Sequence, residues 1–214
     1  MQIGIIGAGM VGGALANALT KVGHQITISA REPAGNNLQS ILRKAGPNIQ
    51  AGDNQSVADF GEIVILASPW PSTKEILKGL SGLKNKIIID LTNPILADFS
   101  GLDKTIRSGG EAVAEWASDA IVVKTLNHIS SNMMDHPSLE HGKPIIFVAG
   151  DDNAAKSIVV TLLEELEFEA EDCGALSMST HLESLAWLYI NRAMVQNKGR
   201  HFAFTIANAI DKEQ

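Results

Sequence analysis

The sequence predicts an α/β protein with a doubly wound, mostly parallel sheet and a short helical segment at its C-terminal end. Short apolar runs alternate with helical patterns along most of the chain. A glycine-rich turn joins the first apolar run to the first helical pattern. The 214 residues suffice for one domain with a substantial core. Together these features indicate a Rossmann-type fold.

Six apolar runs are typical of parallel strands that helices cover on both faces, because they are apolar on successive residues. They comprise residues 2–7, 25–30, 62–68, 86–92, 120–126 and 144–150. A more polar run at 168–174 is predicted to be an edge strand.

Helical patterns cover residues 10–22, 153–166 and 177–195. Either Asp151 or Asp152 is a natural N-cap for the second of these helices. We expect an NADP-binding Rossmann domain over residues 1–175. A helical segment over 176–214 would pack on it without forming an independent second domain.

Composition narrows the possible partners and the compartment. The formal net charge of −7 argues against nucleic-acid binding and against a polybasic membrane surface. No apolar run approaches the roughly 18 residues that span a bilayer, so no membrane partner is expected. The single cysteine, Cys173, cannot form an internal disulfide, which suits a reducing cytoplasm. Histidines, Cys173 and carboxylates show no metal-ligand spacing, so no metal site is expected.

The turn "GAGMVG" fits the pattern G-x-G-x-x-G in the required context between strand and helix. Gly7 permits the tight turn, Gly9 lets a pyrophosphate approach the backbone, and Gly12 lets the helix pack closely on the strand. Met10 and Val11 open the helix, whose free N–H groups would face the phosphates. The turn therefore predicts a dinucleotide site, with a merely structural glycine turn as the alternative.

The second strand ends in Ser29, Ala30 and Arg31, where an NAD-binding site commonly has an acid. Arginine can bind a 2′-phosphate bidentately. Ser29 and the backbone around Ala30 would add hydrogen bonds. This favours NADP(H) over NAD(H), unless Arg31 is a solvated side chain paired with Glu32.

Several further stretches carry a family resemblance, among them "LASPW", "IDLTNP", "VVKTLNHIS", "FVAGDD" and "DCGALS". With "IGIIGAGMVGGALA" and "ISARE", they resemble the NADPH-dependent coenzyme F420 reductases and their bacterial relatives over nearly the whole chain. The cytoplasmic domain of the STEAP metalloreductases is similar. The resemblance implies a Rossmann domain with a short helical C-terminal part, a dimer, and hydride transfer between NADP(H) and a flat deazaflavin or flavin.

The resemblance also implies which loops contact the ligands. Cofactor contacts beyond the glycine turn and the second strand would come from Ser68, Pro69, Trp70, Asn93, Pro94 and Asn127. The acceptor would contact Trp70, Asn127, His128 and Ile129. No catalytic residue is assigned, because hydride transfer to such a ring needs mainly stacking and alignment. His128 is open between proton transfer, contact with the acceptor and packing, and Trp70 between the site and the core.

The sequence thus predicts an NADP(H)-dependent oxidoreductase that acts on a small-molecule acceptor, with F420, FMN or FAD as co-substrate. An imine or 3-hydroxyacid-type reductase is an alternative, although such enzymes generally carry a long helical domain for which 214 residues leave little room. A non-catalytic NADP(H)-binding sensor is another. A homodimer is expected from the resemblance and from the apolar tail at 201–210.

Overall fold

An eight-stranded sheet with the order β3-β2-β1-β4-β5-β6-β7-β8 organises the chain. The structure is a computed structural model, which describes residues 1–209. The strands, β1 to β8 in chain order, span Gln2–Ile6, Gln25–Ser29, Ile49–Gly52, Ile63–Leu66, Ile87–Asp90, Ile121–Lys124, Ile145–Gly150 and Glu169–Asp172.

All neighbouring strands are parallel except β6 and β7, which are antiparallel and pair over only two residues each. The strand order reverses at β1, which lies between β2 and β4. These features confirm the predicted doubly wound, mostly parallel Rossmann-type sheet, and β8 is the expected edge strand.

The helices lie between the strands and after β8. In chain order, α1 to α8 span Met10–Lys21, Asn36–Ala45, Asn54–Phe60, Trp70–Lys78, Gly109–Trp116, Ser131–Met134, Asn153–Glu165 and Ser179–Ile190. The Asp152 carboxylate caps α7 by accepting from the Ala155 N–H at 2.8 Å. Asp152 is therefore the N-cap that the sequence left open.

The core lies on both faces of the sheet, as the continuous apolar strands require. Ile3 and Ile5 of β1 belong to the core on one face of the sheet, which also includes side chains of α1 and α7. Ile6 points to the other face and belongs to the core there, together with Val57 of α3 and Val113 of α5. Burial on both faces explains why these strands have no polar alternation.

Strand β3 was not predicted, and its sequence explains why. Of its four residues only Ile49 is buried, because β3 is the edge of the sheet beyond β2. An edge strand needs no continuous apolar run. The sequence of β3 is therefore hard to distinguish from that of a loop.

The C-terminal part is helical only as far as residue 195. A 3₁₀ turn at Leu176–Met178 precedes α8, and a π-helical turn at Asn191–Val195 follows it. Asn197 and Gly199 then have left-handed backbones, which end the helix. Residues 196–209, named here the C-terminal strap, cross the surface without regular structure. Residue 210 of the predicted apolar tail lies outside the described residues.

Hydrogen bonds from Tyr189 and Ile145 help to fix the strap to the body of the protein. The Tyr189 hydroxyl donates to the carbonyl oxygens of Arg200 and Phe202, at 2.9 and 3.0 Å. The Ile145 N–H donates to the Phe204 carbonyl at 2.9 Å. Within residues 1–209, no helix has both the length and the apolar character needed to cross a membrane.

Candidate functional site

A cleft of about 770 Å³ opens at the carboxyl ends of β1, β2 and β4. Register places it there, because Ile6 pairs with Ser29 on one side and with Leu66 on the other. The residues that follow these strands therefore meet at one edge. Most residues predicted to bind the cofactor line this cleft, namely Gly7, Gly9, Met10, Val11, Ser29, Ala30, Arg31, Ser68 and Pro69.

The glycine turn at the floor of the cleft leaves no room for side chains at two positions. Gly7 has a φ of +110°, and a Cβ there would lie 2.7 Å from the Ala67 carbonyl oxygen. A Cβ on Gly12 would lie 1.9 Å from the Gly7 carbonyl oxygen. Gly12 does not line the cleft; it allows α1 to start directly behind the turn.

Gly9 has the opposite surroundings. A Cβ on Gly9 would meet no protein atom within 4 Å, and its φ of −76° suits any residue. The space beside it is the cleft itself. Gly9 is also the N-cap of α1, so the first N–H groups of the helix point toward this space. The arrangement suits a pyrophosphate at a helix N-terminus.

Arg31 lies at the β2 end of the cleft with an exposed side chain. None of the ion pairs within residues 1–209 involves Arg31, so the alternative pairing with Glu32 is not observed. Glu32 also lines the cleft. In Rossmann folds the adenosine ribose lies at this strand end, so Arg31 is placed to meet a 2′-phosphate.

Polar residues near Arg31 complete this end of the cleft: the predicted Ser29, and Asn37 and Asn54, which were not predicted as site residues. The Ser29 hydroxyl donates to Asn54 Oδ1 at 2.6 Å, so its proton is already used within the protein. Asn37 Nδ2 donates to the Ala8 carbonyl oxygen and ties α2 to the glycine turn. Asn54 could not be found from sequence because it begins α3, directly after the unpredicted β3.

The β4 end of the cleft holds hydroxyl and apolar groups. Its lining residues are Ala67, Ser68, Pro69, Ser72 and Ile76. The hydroxyls of Ser68 and Thr73 lie 3.0 Å apart, and the Thr73 hydroxyl also donates to the Pro69 carbonyl at 3.2 Å. No titratable side chain is among these described lining residues. This end therefore offers shape and hydroxyl groups, but no general acid or base.

Trp70 belongs to the core side of α4 and does not line the cleft. As the first residue of α4, it turns its half-buried indole onto Trp116, with ring centroids 5.2 Å apart. Packing was the alternative role considered for Trp70, and the tryptophan pair supports it.

Asn93, Pro94 and Asn127 also lie outside the cleft lining. Asn127 Nδ2 donates to Asn93 Oδ1 at 3.0 Å, and Asn93 Nδ2 donates to the Asn127 carbonyl at 2.8 Å. Asn127 also donates to the Leu182 carbonyl in α8 at 3.1 Å. The two amides thus tie the ends of β5 and β6 together, and Pro94 is buried beside them.

His128 is 1 % exposed and Ile129 is 7 % exposed, so neither faces the cleft. The imidazole packs against Phe147 and Phe204, with centroid distances of 5.4 and 6.4 Å. Its nitrogens lie 3.2 Å from Asn127 Oδ1 and 3.4 Å from the Ile145 carbonyl oxygen. Burial lowers the pKa of His128 to about 4, so the ring is neutral near pH 7. This placement differs from the expected role in lining the acceptor pocket, because the strap covers the ring.

A buried ion cluster lies beneath the same edge of the sheet, and sequence reasoning missed it too. Register pairs Asp90 with Lys124, and the Lys124 ammonium lies 2.8 Å from Asp90 and 3.0 Å from Glu183. Burial alone would lower the pKa of Lys124, but the two carboxylates outweigh it and raise the pKa. Glu183 also accepts from the N–H groups of Gly109 and Gly110, each at 3.0 Å. The cluster joins β5, β6, α5 and α8.

The fold and the cleft define a dinucleotide-binding Rossmann protein. The family model for NADP oxidoreductase, coenzyme F420-dependent, matches residues 2–94. Among curated proteins, none matches the chain.

Solved structures are similar over much more of the chain. One from Arthrobacter sp. FB24, described as an F420-dependent NADP reductase, is 29% identical with a TM-score of 0.87; the match covers 97% of this chain and 100% of that one. A hypothetical protein from Sinorhizobium meliloti is 30% identical with a TM-score of 0.76, covering 84% and 88%. The N-terminal residues 2–94 thus match the coenzyme F420-dependent NADP oxidoreductase family, and nearly the whole chain is similar to the Arthrobacter reductase.

A more distant likeness concerns the fold alone. The reductive aminase from Aspergillus terreus in complex with NADPH and ethyl-5-oxohexanoate is 20% identical, with a TM-score of 0.69. The match covers 92% of this chain and 62% of the aminase.

Proposed function

We propose that this NADP oxidoreductase transfers a hydride between NADP(H) and a flat flavin or deazaflavin ring of the F420 type. One observation carries the proposal. The β4 end of the cleft, where a Rossmann fold places the nicotinamide half of its cofactor, has no titratable side chain among its described lining residues. Reduction that proceeds by alignment, without a dedicated proton donor, suits such a site.

The protein's own groups would bind and orient the cofactor. The N–H groups at the start of α1 hold the pyrophosphate, and Arg31 holds the 2′-phosphate. Ser68 and Pro69 border the nicotinamide, with Ile76 as an apolar wall. When bound, NADPH supplies the hydride, so these residues act by positioning and by excluding water.

The proposed reaction and its main alternative differ in whether they require a proton donor in the active site. An imine or 3-hydroxyacid-type reductase normally needs a group that protonates its product, and losing that group typically costs about 10²–10⁴-fold in rate. His128 is buried and neutral near pH 7, and the β4 end offers hydroxyls. A flavin or deazaflavin can take its proton from solvent. The alternative is favoured by likeness of fold, as to the fungal aminase, and not by a proton donor in the described lining at the β4 end of the cleft.

The test is steady-state NADPH oxidation with F420, FMN, FAD, an aliphatic imine and an aliphatic ketone. We expect turnover with at least one of the three ring acceptors, and little with the imine or the ketone. Robust turnover of the imine or ketone alone would favour the alternative reductase. NADPH binding without turnover of any acceptor would favour a non-catalytic sensor.

The preference for NADPH is expected to depend on Arg31. A charged hydrogen bond typically contributes about 1.5–3 kcal/mol, so Arg31→Gln should weaken NADPH binding by roughly 10- to 150-fold and leave NADH binding nearly unchanged. Arg43→Gln is the matched control, because Arg43 is exposed at the end of α2 and does not line the cleft. Titration of the wild type should show tighter NADPH binding; equal affinities for NADPH and NADH would contradict this role.

We also propose a homodimer formed through the C-terminal part. Leu188 of α8 is 64% exposed, and Met194 and Val195 of the following turn are 45% and 55% exposed. Light scattering at micromolar concentration should give a dimer for the wild type and a monomer for Leu188→Asp. A monomeric wild type would contradict the proposal.

A further inference from the structure

The C-terminal strap brings a cation to the rim of the cleft. Arg200 Nη1 lies 3.8 Å from Met10 Sδ, and Met10 both lines the cleft and follows Gly9 in the glycine turn. Arg200 is 190 residues from Met10 along the chain, so no local sequence signal relates the two. Only the path of the strap brings them together.

The backbone of Arg200 is held firmly. Its carbonyl oxygen accepts from the Ser130 hydroxyl at 2.9 Å and from the Tyr189 hydroxyl at 2.9 Å. Ser130 precedes α6, and Tyr189 is a buried residue of α8. Two separate elements therefore fix where the strap passes the glycine turn.

The guanidinium, by contrast, has only weak partners. Its hydrogen-bond partners within residues 1–209 are the thioether sulfurs of Met10 and Met194, the second at 2.8 Å. Thioethers are weak acceptors, whereas a guanidinium has five N–H donors. None of the ion pairs among the described residues includes Arg200. The chain has a net charge of −7, yet the half-buried Arg200 has no carboxylate partner among the described residues.

We propose that Arg200 is a second cationic ligand of the dinucleotide and binds its pyrophosphate from the Met10 side of the cleft. The inference rests on the proposed binding of NADP(H). Helix α1 offers the pyrophosphate N–H groups and a positive dipole end, but the described lining of the cleft contains one cation, Arg31, at the far ribose end. Arg200 supplies a charge near the doubly negative group, next to the first residue of α1.

Because of this position, substitution of Arg31 and of Arg200 should change the affinities for NADPH and NADH differently. Arg31 discriminates NADPH from NADH, because only NADPH has a 2′-phosphate. Arg200 contacts a group that both dinucleotides share, so it contributes equally to the affinity for each. The strap thereby becomes part of the cofactor site, although it follows the last helix in the chain.

The test compares equilibrium titrations of NADPH and NADH with the wild type and four variants. R200Q should weaken both by about 10-fold or more and by the same factor. R200K, which keeps the charge without the planar fork, should fall between R200Q and the wild type. R31Q should weaken NADPH alone. R192Q is the matched control, because the exposed Arg192 stacks on Phe202 at 4.1 Å and lies outside the cleft lining.

Thermal unfolding of R200Q should match the wild type, because the hydrogen-bond partners of this side chain among the described residues are the weakly accepting sulfurs of two exposed methionines. Unchanged affinities of R200Q for both dinucleotides would overturn the inference, and so would an equal loss in R192Q. A wild type that binds neither dinucleotide would overturn the proposed cofactor role itself, which separates the two failures.

Discussion

Gly9 and Gly12 belong to one turn, yet their surroundings predict opposite results for the same substitution. A side chain on Gly9 enters open space in the cleft, whereas one on Gly12 collides with the Gly7 carbonyl. We therefore expect Gly9→Val to keep the fold and lose dinucleotide affinity. Gly12→Val should lose the fold itself, since the clash is with backbone.

Circular dichroism and NADPH titration of both variants check this pair. Gly9→Val should unfold at nearly the wild-type temperature, apart from a small cost of valine near a helix start. A folded Gly9→Val protein that binds NADPH like the wild type would show that the pyrophosphate lies elsewhere.

His128 makes the stability of the protein depend on pH. An unfolded chain protonates this imidazole near pH 6.5, whereas the folded protein does so only near pH 4. The unfolded state thus binds more protons in that window, and the free energy of unfolding falls as the pH drops from 6.5 toward 4. The loss from this group is about 3 kcal/mol, and stability is fully present above pH 6.5.

Urea unfolding across that pH range should show a shallower pH dependence for His128→Gln than for the wild type. His136→Gln is the control, since that side chain is 78% exposed. A wild-type slope that persists in His128→Gln would contradict the assignment.

Local chemistry decides which residues could be predicted from sequence. The glycine turn and Arg31 are recognisable because both lie in the local β1–α1–β2 segment, where sequence spacing alone points to them. The environment of His128 depends on Phe147 and Phe204, which come from β7 and the strap. The burial of His128 depends on these distant residues and cannot be predicted from the polar loop that follows β6. That loop alone suggested that His128 lines a ligand pocket.

At the scale of elements, the buried cluster of Asp90, Lys124 and Glu183 joins the C-terminal helices to the sheet. Lys124→Met would leave two buried carboxylates without a counter-charge. Such a loss typically costs about 3–5 kcal/mol. Arg107→Ala is the contrast, because it removes an i,i+4 pair with Glu111 in which Arg107 is 84% exposed, typically worth below about 1 kcal/mol.

Denaturant unfolding measures both changes. Equal, small effects of Lys124→Met and Arg107→Ala would show that the cluster adds little to the stability. Helices α5 and α8 also approach each other closely at the start of α5. A Cβ on Gly110 would lie only 2.2 Å from the Ser179 hydroxyl oxygen.

Strands with a continuous apolar signal were predictable, whereas the edge strand β3 was not. The central strands are buried on both faces, so their continuous apolar runs are easily recognised in the sequence. Strand β3 exposes most of its side chains at the sheet edge. The strap has no repeating pattern at all. Its path is set by Tyr189, Ser130 and the Ile145 backbone, which are scattered along the chain.

For the whole molecule, the order of the strands decides where ligands meet. The reversal at β1 opens the cleft between β2 and β4, so the glycine turn and the uncharged β4 end face one space. The cofactor end of this space was predictable from motifs. The acceptor end was not, because the residues expected there from resemblance are packed beneath the strap or between helices.

Hydride transfer from NADPH that carries deuterium at both positions of the nicotinamide C4 tests the central claim most directly. The protein is mixed with the labelled cofactor and oxidised F420, and the products are analysed by mass spectrometry. We predict that one deuterium moves to the deazaflavin carbon and stays there, since a carbon-bound hydride does not exchange with water. Bound but unreacted NADPH, or reduced F420 without deuterium, would contradict direct transfer to a deazaflavin ring.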